Sequence, residues 1–199
     1  MDLNETQARM SKNPRPTIAI FGGSFDPPHA AHALVPAYVR SVSDVDSVLV
    51  IPAFQHPLGK DTQTPFEHRL RMCELAMQHL VAVEVSPLER DLGGVSRTLR
   101  TLEEVARRRP EARLRLVIGA DILGGVDRWH RWDLIEEMAP PIVIGRRGYP
   151  PPTGCKVELP EMSSTEVRRR LGAGEDTEGM LSHLVRDYID EHRLYGADP

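Results

Sequence analysis

Short runs of consecutive apolar residues alternate with longer stretches whose apolar residues recur at helical spacing. This alternation constrains the fold more than any other feature of the chain. The first run is TIAIFG at residues 17–22, followed by HAAHALVPAYVRSV, and the second is SVLVIP at residues 47–52. A strand that is apolar at every position is buried on both faces, and parallel neighbours need long crossovers, which the intervening helices supply. The rhythm continues through the helix FEHRLRMCELAMQHL, the strand VAVEVS, the helix TLRTLEEVARRR stopped by Pro110, and the strand RLRLVIGA. Beyond it come a short helical piece at DILGGV, another at WDLIEEM, the strand PIVIG, the turn YPPPTG, a strand candidate in KVELP, and two closing helices. These elements predict an α/β fold: a single doubly wound domain over residues 17–199, with a parallel sheet and C-terminal helices. Residues 1–16 predict a flexible tail, and no repeat or linker divides the remainder.

Charge and cysteine content then exclude several classes of function. A formal net charge of -4 argues against a sequence-independent nucleic-acid binder, which needs a cationic excess to displace counterions from phosphate. The two cysteines, Cys73 and Cys155, are far apart and form no C-x-x-C pattern, as suits a reducing compartment. The opening MDLNETQARMSKNPRP has no apolar core of a secretory leader, and no run of about 18 apolar residues offers a membrane span. The expectation is a cytoplasmic protein with neither nucleic-acid nor membrane partners, and self-association is left open. Met72, Cys73 and Met77 read as helix core, whereas His68, His79, His183 and His192 read as helix surface.

In a doubly wound sheet, ligands sit beyond the carboxyl ends of the strands, where strand order reverses. That rule singles out GGSFDPPHAAH after the first strand and GAD after RLRLVI. Gly22 and Gly23 permit a tight turn and close approach of a ligand, or are a turn and nothing more. His29 and His32, three apart, share one face of a helix whose N-terminus should present free N–H groups to an anion. Both imidazoles can donate to phosphate oxygens. A zinc site would need a third and fourth ligand that local sequence does not supply, so no protein-bound metal is expected. In MSSTEVRRRL, Ser163 and Glu166 have the spacing of a helix-capping box, which is compatible with anion binding at the same helix start beside the Arg168 fork. Asp121 suits either a ribose hydroxyl or a helix cap. Of the two tryptophans, Trp129 is placed in the site and Trp132 in the core.

The string GGSFDPPHAAH resembles the GxFxPxHxGH phosphate-binding motif of the nucleotidyltransferase superfamily. The resemblance extends over nearly the whole chain to the bacterial nicotinate-nucleotide adenylyltransferases: LERDLGGVSRTLRTLEEV, VIGADILGGVDRWHRW, IGRRGY and MSSTEVRRRL follow that family's landmarks in order. It implies a Rossmann-like fold and transfer of AMP from ATP to nicotinate mononucleotide, with Mg2+ bound along with ATP and no covalent enzyme intermediate. Nicotinamide mononucleotide, phosphopantetheine, or a regulator without catalysis are the alternatives. By the resemblance, the ATP side comprises Gly22, Gly23, Ser24, Phe25, His29, His32, Gly119, Asp121, Arg146, Ser163, Ser164, Thr165 and Arg168. His29, His32 and Arg168 would carry the chemistry. The mononucleotide side comprises Lys60, Arg97, Thr98, Asp121 and Trp129.

The chain departs from the family pattern at four places. Ala31 stands where the family has glycine, and Pro36 falls inside the first helix, where its missing N–H should kink it. PAFQHPLGK replaces a PPHK segment, leaving His56 and Lys60 without a settled register. SRT replaces SYT, so Arg97 either attracts the nicotinate carboxylate or points into solvent.

Overall fold

The computed structural model describes residues 15–55, 62–126, 129–146, 149 and 158–196. Its strands are β1 (Thr17–Gly23), β2 (Ser47–Pro52), β3 (Val83–Val85), β4 (Arg113–Gly119), β5 (Pro141–Arg146) and β6 (Glu158–Leu159). They form one sheet in the order β3-β2-β1-β4-β5-β6, and every neighbouring pair is parallel. The helices are α1 (Ala30–Val42), α2 (Phe66–Met77), α3 (Leu88–Leu92), α4 (Thr98–Arg108), α5 (Ala120–Leu123), α6 (Trp132–Met138), α7 (Ser164–Gly172) and α8 (His183–Glu191). A short 3-10 turn at Leu194–Gly196 follows. The expected doubly wound architecture forms.

The strands are apolar at successive positions because each face of the sheet has its own cover. Ile18 and Ile20 of β1 and Leu114, Leu116 and Ile118 of β4 pack with Leu102 and Val105 of α4 and Ile135 of α6. Ala19, Val48, Val50 and Val117 point the other way, onto Val35 and Val39 of α1 and Cys73 of α2. A third cluster joins Met72, Ala76 and Met77 of α2 to Val167 and Leu171 of α7 and Val185 and Ile189 of α8, fastening the C-terminal helices to the domain. Burying each of these large side chains contributes about 1.5–3 kcal/mol, which is what holds the layers together. Helix α1 continues through Pro36 to Val42 with Pro36 itself buried, so tertiary burial sustains the helix past the missing backbone donor.

One helix is added and two local expectations change. Helix α3, with only Leu88 buried, is too short to show a period. The third strand is shorter than VAVEVS, because Val81 is exposed and Ala82 adopts a left-handed φ of 58°. His68 is half-buried rather than on the surface: its Nδ1 lies 2.9 Å from the Tyr188 hydroxyl, and the ring of His192 stands 5.2 Å away. The carbonyl of Pro16 accepts the Arg113 N–H at 2.8 Å, and residues 1–14 of the expected tail lie outside the described residues.

Candidate functional site

Strand order reverses between β1 and β4: the chain runs outward from β1 through β2 to β3, then returns to place β4 on β1's other side. Phe21 pairs with Val117, so Gly22 and Gly23 end level with Ile118 and Gly119. The GGSFDPPH turn and the GAD segment therefore leave the sheet side by side at the topological switch point, where open α/β sheets bind their ligands. The two glycines differ. A Cβ on Gly23 would lie 3.0 Å from the Phe25 ring, tight enough that the ring would have to shift, so packing within the protein favours glycine there. A Cβ on Gly22 would meet only the Ile51 carbonyl, at an ordinary 3.9 Å, and Gly22 is exposed at the strand end.

After β1 the chain turns sharply. Phe25 is 1% exposed with a left-handed φ of 49°, a strained conformation for an aromatic residue that only the surrounding packing can hold. Its ring meets His32 edge-on at 5.0 Å, and the His29 and His32 rings stack at 3.7 Å. His29 caps α1, and its backbone N–H donates to His32 Nδ1 at 3.2 Å. An Nδ1 that accepts must carry its lone pair, so in neutral His32 the proton sits on Nε2, which becomes a donor.

The free helix end expected at α1 is not what forms. The Ala30 N–H donates to the Met180 carbonyl at 2.8 Å, the His29 N–H is taken by His32, and the His32 N–H reaches the His29 carbonyl at 2.9 Å. Any cradle here is built from side chains more than from bare backbone donors. Helix α7 begins with Ser163 accepting the Glu166 N–H at 3.2 Å, which is the cap half of the expected box. The Glu166 carboxylate turns instead to Arg169 and Arg170 at 2.9 and 2.8 Å. Those hydrogen bonds push it down to about 2, and they make Arg169 and Arg170 ion-pair partners rather than freely solvated cations.

The start of α7 docks onto the turn after β1. Ser164 Oγ donates to the Pro27 carbonyl at 2.9 Å, and Arg168 Nη1 donates to the Asp26 carbonyl at 2.6 Å. Arg168 also reaches Thr165 Oγ1 at 3.4 Å. Regions 137 and 142 residues apart in sequence are thereby joined, which brings His29, His32, Ser163, Ser164, Thr165 and Arg168 to one end of the sheet.

Beneath them lies a polar layer that sequence reasoning missed. The Asp26 carboxylate, 3% exposed, accepts the Tyr195 hydroxyl at 2.6 Å and the Gln63 N–H at 2.7 Å. Arg69 is wholly buried and donates to the carbonyls of Ser24 at 2.7 Å and Thr64 at 3.1 Å. Burial lowers the Arg69 pKa, while the negative charge of Asp26 works in the opposite direction. Burial first, and then the bond to Asp26, raise the Tyr195 pKa, so the phenol keeps its proton. A charged residue on the apolar face of α2, in step with Met72, Cys73 and Ala76, was the available signal for Arg69. Nothing in the local pattern pointed to Tyr195.

On the other flank, α3 and the approach to α4 grip the end of β2. Phe54 N–H donates to Ser96 Oγ at 2.9 Å and to Glu89 Oε2 at 3.1 Å, while Gln55 N–H donates to Ser96 Oγ at 3.2 Å. Thr101 ties the other Glu89 oxygen at 2.9 Å. Arg97 caps α4 and is exposed, with Thr98 half-buried beside it. Asp121 lies in the first turn of α5, whose cap is Gly119, so the capping alternative for Asp121 falls away. Trp129 and Trp132 meet edge-on at 5.6 Å, and both pack against the α4 face of the core. His56, Lys60 and Cys155 lie outside the described residues, as does the side chain of Arg146.

Residues 20–170 match the family described as Cytidylyltransferase-like. A protein of Anaeromyxobacter dehalogenans named "Probable nicotinate-nucleotide adenylyltransferase" is 46% identical over 181 residues, covering 89% of this chain and 96% of that protein. One of the same name from Myxococcus xanthus is 38% identical over 92% of this chain and 96% of its own length. Among solved structures, the Plasmodium falciparum nicotinic acid mononucleotide adenylyltransferase complexed with NaAD superposes with a TM-score of 0.78 at 22% identity. It covers 92% of this chain and 98% of that one, a likeness of fold.

Proposed function

The chain belongs to the Cytidylyltransferase-like family and, within it, to the nicotinate-nucleotide adenylyltransferases, and we infer that it transfers AMP from ATP to nicotinate mononucleotide. The products are deamido-NAD and pyrophosphate, a step of NAD biosynthesis. The observation that carries the site assignment is the stacked His29–His32 pair and the docked Arg168, both seated on the turn that ends the central strand.

The chemistry joins two anions. A phosphate oxygen of the mononucleotide attacks the α-phosphorus of ATP, a new O–P bond forms, and the bond to the β-phosphate oxygen breaks, releasing pyrophosphate. The protein's task is to hold both partners in line and to offset the negative charge that gathers on the transferred group. No nucleophilic side chain is needed for this. Cys73 supplies none, since burial raises its pKa well above the ordinary thiol value. We assign His32 Nε2–H to the α-phosphate, and His29, Arg168, Ser163, Ser164 and Thr165 to the outer phosphates. Arg168 spends only some of its five N–H donors on Asp26 and Thr165, which leaves others for a ligand. Gly22 keeps the strand end open where no protein atom requires its bareness. Gly23, Ser24, Phe25, Gly119 and Asp121 complete the ATP side, with Arg146 assigned there from the sequence pattern. Lys60, Arg97, Thr98, Asp121 and Trp129 serve the mononucleotide. Residues 17–199 act as one catalytic unit.

Transfer from ATP generally uses a divalent metal. Among the described residues no three His, Cys, Asp or Glu converge on a metal position, and Asp26 is committed to Tyr195 and Gln63. The groups at the turn are guanidinium, hydroxyl and imidazole; the first two donate to phosphate, and imidazole nitrogen is a poor ligand for Mg2+, which prefers oxygen. We therefore propose Mg2+ as a passenger on the ATP phosphates, held by substrate oxygens and not by a protein cage. No helix among the described residues is long and apolar enough to cross a membrane.

Pyrophosphate release from ATP and nicotinate mononucleotide tests the assignment directly. Replacing His32 with alanine should lower kcat by about 100- to 1,000-fold with an unchanged circular dichroism spectrum. Turnover within a few-fold of wild type would remove His32 from the α-phosphate.

A further inference from the structure

Arg69 takes no part in the phosphate chemistry, yet burying its charge is costly and asks for a duty. It lies in the first turn of α2, wholly buried, with its guanidinium carbon 5.4 Å from the centre of the Phe66 ring. Its two hydrogen bonds both go to backbone carbonyls. The one to Thr64, at 3.1 Å, is local, five residues away, and steadies the guanidinium beside its own helix. The other, at 2.7 Å, spans 45 residues and lands on Ser24, in the turn that follows β1. Side chains from outside take further carbonyls of this turn, Asp26 by Arg168 and Pro27 by Ser164. Arg69 alone of the three donors is completely buried.

The bond to Ser24 fixes more than a carbonyl. A trans peptide is planar, so its C=O and N–H point in opposite directions. The Ser24–Phe25 peptide is trans, and with its carbonyl drawn to Arg69 its N–H, that of Phe25, faces away from the guanidinium. Phe25 is left-handed at φ 49°, and its ring is pinned edge-on by Phe21 at 5.3 Å and His32 at 5.0 Å. The φ of Phe25 is one of the two torsions about which this peptide turns. Flipping the peptide would return Phe25 to negative φ, which sterics favour, and would swing the N–H round toward α2. Arg69 opposes that flip. Backbone N–H groups around a left-handed residue form a concavity suited to an anion. We infer that Arg69 is a positioning residue, holding the Ser24–Phe25 peptide in the strained orientation that presents the Phe25 N–H to a phosphate of ATP. The duty calls for a guanidinium, whose rigid fork reaches Thr64 and Ser24 together, where an ammonium is a single point charge.

This inference rests on the adenylyl-transfer reading above and deepens it. Arg69→Lys keeps a charge and loses the fork, so calorimetric titration should show Kd for ATP raised about tenfold, with Kd for nicotinate mononucleotide within about twofold of wild type. Arg69→Met should weaken ATP at least as much. In the wild-type protein, the Phe25 amide resonance should shift when ATP or pyrophosphate is added and stay nearly in place with adenosine. A merely structural arginine would lower the melting temperature of the variants and leave the ratio of the two affinities unchanged. That result would overturn the inference, as would equal weakening of both substrates or a Phe25 resonance indifferent to ATP. Where neither variant folds, the wild-type resonance decides alone. The two readings fail differently: a wild type whose Phe25 amide answers ATP but which releases no pyrophosphate sinks the reaction, whereas one that turns over with an unmoved Phe25 amide sinks only the role of Arg69.

Discussion

Arg97 stands exposed at the head of α4, directly after a serine whose hydroxyl holds the amides of Phe54 and Gln55. That neighbour fixes the arginine's base at the flank proposed for the mononucleotide while leaving the residue exposed. A cation so placed favours an acceptor bearing a carboxylate over one bearing an amide, by a margin that salt should reduce. Arg97→Ala should narrow the kcat/KM preference for nicotinate over nicotinamide mononucleotide by about tenfold, one exposed charge-assisted contact being worth roughly that much. An unchanged ratio would leave Arg97 as a solvent-facing cap. Single residues were also where sequence reading was weakest. His29, His32 and Arg168 were legible because they sit in compact strings, but the three bonds around Asp26 join positions that only the folded chain brings together. A buried arginine and a distant tyrosine have no periodic signature to read.

Ser163 caps the first turn of α7, and the proposed function gives the same residue a second duty toward the phosphates. Substitution can separate them. Ser163→Ala removes the cap that holds Glu166 N–H and should cost about 1 kcal/mol in chemical denaturation. Ser163→Asp keeps a good cap and preserves that stability, yet it sets a negative charge beside the triphosphate, so KM for ATP should rise while the melting temperature holds. Equal KM in both variants would confine Ser163 to the helix. The elements themselves were readable where burial is two-sided. β1, β2, β4 and β5 were read to within a residue or so of their observed ends, since continuous apolar runs leave little choice of face. α3 escaped notice because five residues with one buried leucine carry no measurable period.

Across the whole molecule, exposed arginine-carboxylate clusters brace helices on separate parts of the surface. Glu104 of α4, paired with Arg107 and Arg108, and Glu166 of α7, paired with Arg169 and Arg170, are each pushed down from an ordinary 4.5 to about 2. A carboxylate with a depressed folded-state value stabilises above its unfolded value, and that stability is lost as pH falls through the folded one. The window here runs from about pH 4.5 down to about pH 2. Melting temperatures at pH 5 and pH 3 should therefore drop less in a Glu104→Gln/Glu166→Gln double variant than in wild type, and the difference should shrink in 1 M salt. An identical drop would show that these clusters do not contribute to acid sensitivity.

The strand order also bears on how such a chain is made. β1 is translated first but ends in the middle of the sheet, and its partner on one side, β4, begins only at Arg113. A nascent chain that has not yet delivered Arg113 from the ribosome can zip β1 to β2 while β1's opposite backbone edge stays bare, lined by apolar residues. That unfinished seam is where a stalled or truncated product would stick to its neighbours, so delays in synthesis before residue 113 should be costlier for this protein than delays after residue 119.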